Sequence, residues 1–400
     1  MKFSQVLSCA LGAATTVSVT PPLIAKRAPT DPLPNEKFGW FSTISLEDAR
    51  SGILKSHNGT ISKIMEGLGN SFEDVTDEIA ESIGLGSSSP SPASSSTGEP
   101  KIAPIDDPID NVTSVAIGCD NPNQRFEWRD YSDTDRHAFA AAFKCLMDAP
   151  SSGRFPPSQS RYEDLVRVHQ MMANTIHGNS IFLLWHRYYV WTLEQIMRDE
   201  CGFDRAFPWW DETLDAGNFS SSSIFTPDFF GSLRTSTNDQ YICVTDGYFA
   251  NAVAHIGPGS GFQDHCLSRA VDESLTAQCN KNFVNICNSR DNYSDMENCA
   301  ELGPHAYGHN GIGSVMADAS SSPQDPTFFL HHLFVDRNFW LWQDGDASRK
   351  TKINGCIDNS SPCTPLTLDT VINVQGLRPN VTVRDVIDTQ NGVICYYYTY

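Results

Sequence analysis

In the stretch His169-Gln170-Met171-Met172-Ala173-Asn174-Thr175-Ile176-His177-Gly178-Asn179-Ser180-Ile181-Phe182-Leu183-Leu184-Trp185-His186-Arg187, three histidines fall on and between two helical patterns. Just upstream, Ser160 and Glu163 have the spacing of a capping box, followed by Leu165, Val166, Val168 and His169. His169 is therefore expected on a helix and His177 in the loop after it. Phe182 to Arg198 is apolar nearly all round, which marks a buried helix, and it carries His186.

A second cluster repeats the scheme. His305 and His309 are four apart, so on a helix they share one face and can bind one metal. An isolated pair of this kind is weak grounds by itself. Downstream, Asp325-Pro326-Thr327-Phe328-Phe329 ends a loop and starts a buried helix with His331 and His332 in its first turn. Adjacent helical residues point about 100° apart, so one of the two reaches the metal and the other looks elsewhere. Leu183-Leu184-Trp185-His186-Arg187-Tyr188 parallels Phe329-Leu330-His331-His332-Leu333-Phe334 as an apolar turn presenting a central histidine. Two helix pairs, each offering three imidazoles, predict a mainly α fold: a four-helix bundle around a dinuclear site, with long loops and minor β structure. Six neutral imidazoles and no obvious carboxylate suit two copper ions better than magnesium, manganese or a carboxylate-bridged di-iron centre. Zinc would not need six such ligands. Of the remaining histidines, His57 and His137 stand alone, and His255 and His265 read as structural or loop residues.

These motifs resemble the tyrosinase and catechol oxidase family. His169 to Arg187 is similar to its copper-A region. His305-Ala306-Tyr307-Gly308-His309 and Asp325 to Arg337 are similar to its copper-B region. Phe207-Pro208-Trp209-Trp210-Asp211 looks like the aromatic–Asp motif between them, and Tyr396-Tyr397-Tyr398 like the tyrosine motif that ends the core. The resemblance implies His169, His177 and His186 as ligands of one copper and His305, His309 and His332 as ligands of the other. His332 is preferred because the family's ligand stands four residues before the Asp of Val335-Asp336-Arg337, which leaves His331 behind the metal. Asp336, Arg337, Arg187 and Glu194 are expected to form buried ion pairs bracing the helices. Phe328 or Phe329 could line the substrate pocket, with plain core packing the alternative.

The implied activity is O₂-dependent oxidation of o-diphenols (catechols) to o-quinones, with no catalytic side chain beyond the copper ligands. Thr175 stands where many relatives place a Cys that forms a thioether to the histidine two residues on, so that crosslink is expected to be absent. Ala306 stands where many monophenol-hydroxylating relatives carry Asn, which favours diphenol oxidation. Asn310 after the second histidine weakens that inference. A monophenol hydroxylase, a tailoring oxidase acting on aminophenols or phenolic secondary metabolites, and a haemocyanin-like oxygen carrier are the alternatives; the absence of long repeats counts against the last.

The chain has 400 residues, of which 40% are hydrophobic, and a formal charge of −20, which argues against nucleic acid and anionic membranes as partners. Residues 1–27 read as a signal peptide ending in the dibasic pair Lys26-Arg27. Residues 28–86 read as an extension, helical over 45–85, and 87–104 as a Ser/Pro-rich linker. Residues 105–400 form the expected copper domain, irregular between about 212 and 300. Helices are expected over 132–147, 305–317 and 328–343, with strand-like spacing after Leu366. Eleven cysteines follow Cys9, so most pair in an oxidising compartment and at least one is left over. Asn58, Asn111, Asn218, Asn292, Asn359 and Asn380 begin N-glycosylation triplets, in keeping with a secreted, extracellular protein.

Overall fold

The computed structural model describes residues 32–33, 37–52, 119–236 and 241–400. The expected signal segment, the linker, His57, Asn58 and Asn111 lie outside them, as do most residues of the expected 45–85 helix. The part of that helix that is described, α1 (Leu46–Ser51), is a single capped turn and a half. Ser45 accepts the Asp48 N–H, and Gly52 closes the helix at φ 74°. That left-handed backbone suits glycine and stops the helix where sequence periodicity continued it.

The core is helical. Helix α2 (Asp133–Asp148), α3 (Arg161–Ile176) and α4 (Phe182–Cys201) follow one another with short connections. Ser160 caps α3 by accepting the Glu163 N–H at 3.1 Å. The reciprocal half of the capping box is missing, because the Glu163 carboxylate accepts from Gln159 (2.8 Å) and Gln324 (2.7 Å) and meets His255 (2.9 Å). Helix α4 buries nearly all its first four turns, as its continuous apolar pattern requires.

Two differences from the sequence reading concern the middle of the chain. The stretch expected to be irregular contains α5 (Glu273–Thr276), α6 (Lys281–Asn288) and α7 (Tyr293–Ala300), the last two capped by Asn280 and Asn292. Their amphipathic faces are too short to stand out against the surrounding Cys, Asn and Gly. The helix expected over 305–317 is broken into a wide turn at Glu301–His305, α8 (Ala306–Ile312) and a 3₁₀ turn at Ser314–Ala317. Pro304 and Gly313 interrupt the backbone hydrogen bonding on either side of α8. Helix α9 (Thr327–Asp344) matches its expected span. It packs against α4, and α8 and the turn at 301–305 close the opposite side of the bundle.

Minor β structure ties the ends together. Strand β1 (Asn123–Glu127) pairs in parallel with β2 (Pro208–Trp209) on one side and β3 (Tyr396–Tyr398) on the other. Disulfides join Cys119–Cys395, Cys145–Cys201, Cys243–Cys266, Cys287–Cys299 and Cys356–Cys363, leaving Cys279 free and buried among the described residues. No helix among the described residues is long and apolar enough to cross a membrane.

Candidate metal centre

The two histidine clusters meet in the bundle core. His169 sits inside α3, His177 is the extended residue that ends it, and His186 lies one turn into α4. His305 closes the wide turn, His309 lies on α8, and His331 and His332 are in the early turns of α9. All seven rings are buried.

The backbone fixes how most of these rings present themselves. Nδ1 of His169 donates to the Ser320 carbonyl (2.8 Å), that of His177 to Ala173 (2.9 Å) and that of His186 to Phe182 (2.9 Å). On the other side, His305 donates to Glu301 (3.0 Å) and His309 to Met316 (2.6 Å). With Nδ1 carrying the proton, each Nε2 lone pair points into the core. Nε2 of His177 and of His305 is buried without a protein partner. Nε2 of His169 and His186 face each other at 3.4 Å, and those of His309 and His332 at 3.2 Å. For His169 and His186, whose Nδ1 atoms both carry the proton, two acceptors gain nothing from such an approach unless a cation lies beside them. Burial holds the imidazoles of His169, His186, His305, His309 and His332 well below the ordinary histidine value and pushes His177 down to about 4. They are therefore neutral and ready to ligate at neutral pH.

This donor set fits a dinuclear type-3 copper site. His169, His177 and His186 bring one ring nitrogen each within 4.8 Å of one another, and so do His305, His309 and His331. Proximity thus favours His331 on the second side, where sequence reasoning favoured His332. The two rings differ in their partners. His331 Nδ1 meets the buried Glu212 carboxylate at 2.6 Å, and its ring edge lies against Gly308, where a Cβ would come within 2.4 Å. His332 has no partner at Nδ1, approaches His309 through Nε2, and stacks on His186 across the site at 4.4 Å.

Aromatic rings wall the centre. Phe182 lies 4.7 Å from His186 and 4.6 Å from His305, and Phe328 lies 4.1 Å from His332. Phe329 turns away to Tyr189, at 5.4 Å, and belongs to the core. Thr175 is exposed, its hydroxyl donating to the Met172 carbonyl.

The helices are braced by a buried charge cluster. Asp336 accepts from Arg187 (2.5 Å), Tyr396 (2.5 Å) and Tyr398 (2.6 Å), while Arg125 bridges Asp336 and Glu194. Arg337 does not join it, contrary to expectation. Its Nε donates to the Tyr400 carbonyl and its guanidinium lies over Trp209, because Asp336 and Arg337 are adjacent on α9 and face different ways. His255 and His265 are structural as expected, the latter bonded to the Cys266 carbonyl, and His137 bonds the Tyr248 hydroxyl at the surface. Sequence reasoning missed Arg125, Glu212 and Glu301, whose Oε1 accepts the Gly178 N–H beside His177. Glu212 directly follows the aromatic–Asp motif, which could have flagged it; the other two carry no local signal.

Residues 159–345 match the common central domain of tyrosinase. The tyrosinase-like protein phomQ1 of Diaporthe leptostromiformis is 30% identical over 317 residues, covering 72% of this chain and 80% of the relative. An N-acetyl-6-hydroxytryptophan oxidase of Emericella nidulans is 26% identical over 342 residues, covering 70% and 93%. A solved polyphenol oxidase variant from Thermothelomyces thermophila superposes with a TM-score of 0.62 at 26% identity, covering 70% of this chain and 89% of its own.

Proposed function

The chain belongs to the tyrosinase family of type-3 copper proteins, and on that premise we propose that it is a secreted dicopper oxidase that uses O₂ to convert o-diphenols to o-quinones. The observation that carries the reading is the convergence of buried, neutral imidazoles whose Nε2 atoms face inward, those of His177 and His305 without a protein partner and the others only toward one another.

His169, His177 and His186 would hold one copper and His305, His309 and His332 the other. When bound, the copper pair would supply the redox chemistry, in which two o-diphenols each give up two electrons and two protons and one O₂ is reduced to two waters. The protein's own residues do the rest. Carbonyl acceptors at Nδ1 lock five rings in one tautomer and orientation. Phe182 and Phe328 keep water from the ring nitrogens. His332 is chosen over His331 because its Nε2 already faces that of His309, whereas His331 is drawn toward Glu212. Ala306 offers no side-chain acceptor beside His305, which favours substrates that arrive as diphenols.

A tailoring oxidase acting on a phenolic or aminophenol secondary metabolite is the second reading, favoured by the likeness to the N-acetyl-6-hydroxytryptophan oxidase. The disulfides and the glycosylation triplets of the described residues support secretion.

The test is oxygen uptake by purified, copper-loaded protein, first with catechol and then with phenol. Uptake with catechol alone is expected. Comparable uptake with both would overturn the diphenol-only claim, and reversible O₂ binding without turnover would leave an oxygen carrier. A metal assay well below two coppers per loaded chain would refute the dinuclear site.

A further inference from the structure

Residues 37–52 lie against the metal centre instead of standing off as an appendage. Phe41 is buried, and its ring stacks on His309 at 4.3 Å with the planes 25° apart. It also meets His305 edge-on at 5.1 Å and His177 at 6.0 Å, so a single side chain touches both histidine triads. Ala306 and Ala319 complete its socket. A face-on position over a ligand imidazole in an apolar socket is where an aromatic substrate would stack.

The segment is built to stay there. Asn310, next to His309, clamps the Phe41 backbone from both ends: its Oδ1 accepts the N–H (2.9 Å) and its Nδ2 donates to the carbonyl (2.8 Å). Phe38 packs edge-on against Tyr241 and His265, each at 5.5 Å. Ile44 donates its N–H to the Leu302 carbonyl at 3.0 Å, and Ile44 and Ala49 join Phe283, Leu302 and the Cys287–Cys299 disulfide in one apolar cluster. Arg290 donates to the Ala49 carbonyl near the end of α1. No cysteine occurs between residues 28 and 118, so no disulfide holds the segment down.

Resting on the dicopper reading above, we propose that residues 37–52 are an intramolecular occupant of the substrate slot, with Phe41 competing against phenolic substrates for the face of His309. Asn310 and Ala306 then serve the strap: the amide grips its backbone, and the small side chain leaves room for the ring. Cleavage after Lys26-Arg27 would leave Phe41 on the chain. Cleavage beyond Gly52 would leave the strap held only by non-covalent contacts, free to exchange and be lost. A substrate facing a slot that is open only part of the time has its apparent affinity reduced by the open fraction.

The test uses the full, copper-loaded chain with a specific protease site placed in the Ser/Pro-rich stretch 87–100. Intact, cut and Phe41→Ala forms are compared for catechol oxidation and, by calorimetry, for binding of benzoate, an aromatic ligand that is not turned over. Cutting, or Phe41→Ala, is expected to lower KM and tighten benzoate binding together, by about tenfold, with kcat little changed. Hydrogen exchange on the copper-free chain gives a reading without turnover: the Phe41 amide is protected, and Asn310→Ala abolishes the protection. Equal benzoate affinity and equal KM in all forms would overturn the strap even if catechol is oxidised. Tighter benzoate binding on cutting, with no catechol oxidation in any form, would support the strap and sink the catechol reading instead.

Discussion

Of the inward-facing imidazoles, His332 alone lacks a partner at Nδ1, while its neighbour His331 holds a buried carboxylate. The two adjacent histidines thus differ at Nδ1, that of His331 held by Glu212 and that of His332 free of any partner, while the Nε2 of His331 is also buried without a partner. His332→Ala is expected to lose one of the two coppers, read by metal analysis of the reloaded protein. His331→Ala is expected to keep both while losing about 1–3 kcal/mol of stability, because Glu212 is left buried without its partner. The reverse pattern of copper loss would reassign the sixth ligand to His331, which proximity also allows. The same scale explains the buried acid of α7. Burial pushes the Glu297 carboxyl up to about 8, and a hydrogen bond with Glu301 offsets part of the rise. Between the ordinary value of 4.5 and about 8, the unfolded chain releases a proton that the folded chain keeps, so stability falls as pH rises through that window. Glu297→Gln removes this loss, gaining on the order of 3 kcal/mol at pH 7 and little at pH 4. Parallel melting curves for the two proteins at both pH values would count against it.

At the scale of elements, Asp336 is where helix, strand and tail are locked. Its carboxylate joins α9 to Arg187 of α4, to Arg125 of β1 and to the two tyrosine hydroxyls of β3. Both guanidiniums are fully buried, so removing this carboxylate leaves Arg187 without its ion-pair partner and Arg125 with Glu194 alone. Asp336→Ala is expected to cost about 3–5 kcal/mol in chemical denaturation. Copper binding should weaken with it, since His186 and His332 lie on the two helices that this carboxylate holds in register. A variant as stable as the parent would show that the aromatic packing around the cluster suffices.

Across the whole molecule, Cys119 and Cys395 are 276 residues apart and join the strand that opens the described domain to the strand that ends it. A cross-link over so long a loop restricts the unfolded chain strongly. Cys119→Ser with Cys395→Ser is expected to lose about 3–5 kcal/mol, read as a lower Tm, while copper content at room temperature stays unchanged. Copper loss in the folded double variant would mean that the disulfide shapes the site as well as the domain.

Local sequence by itself marked three of the helices around the site and the two histidine clusters, while leaving His331 and His332 to be told apart by other means. Capping at Ser160, the continuous apolar run of α4 and the four-residue spacing of His305 and His309 are signals written within one or two turns. It also implied copper, because donor chemistry depends on residue type before geometry. Tertiary structure alone decided what long-range pairing decides. Arg125 reaches Asp336 and Glu194 across 211 and 69 residues, and Glu212 finds His331 across 119. The N-terminal strap is the clearest case. Periodicity described a helix over 45–85 and did not reach Phe41, and only the fold shows that Phe41, 268 residues before His309, lies on that histidine's face. Contacts of that separation depend on which surfaces the folded chain brings together, and local pattern carries no record of them.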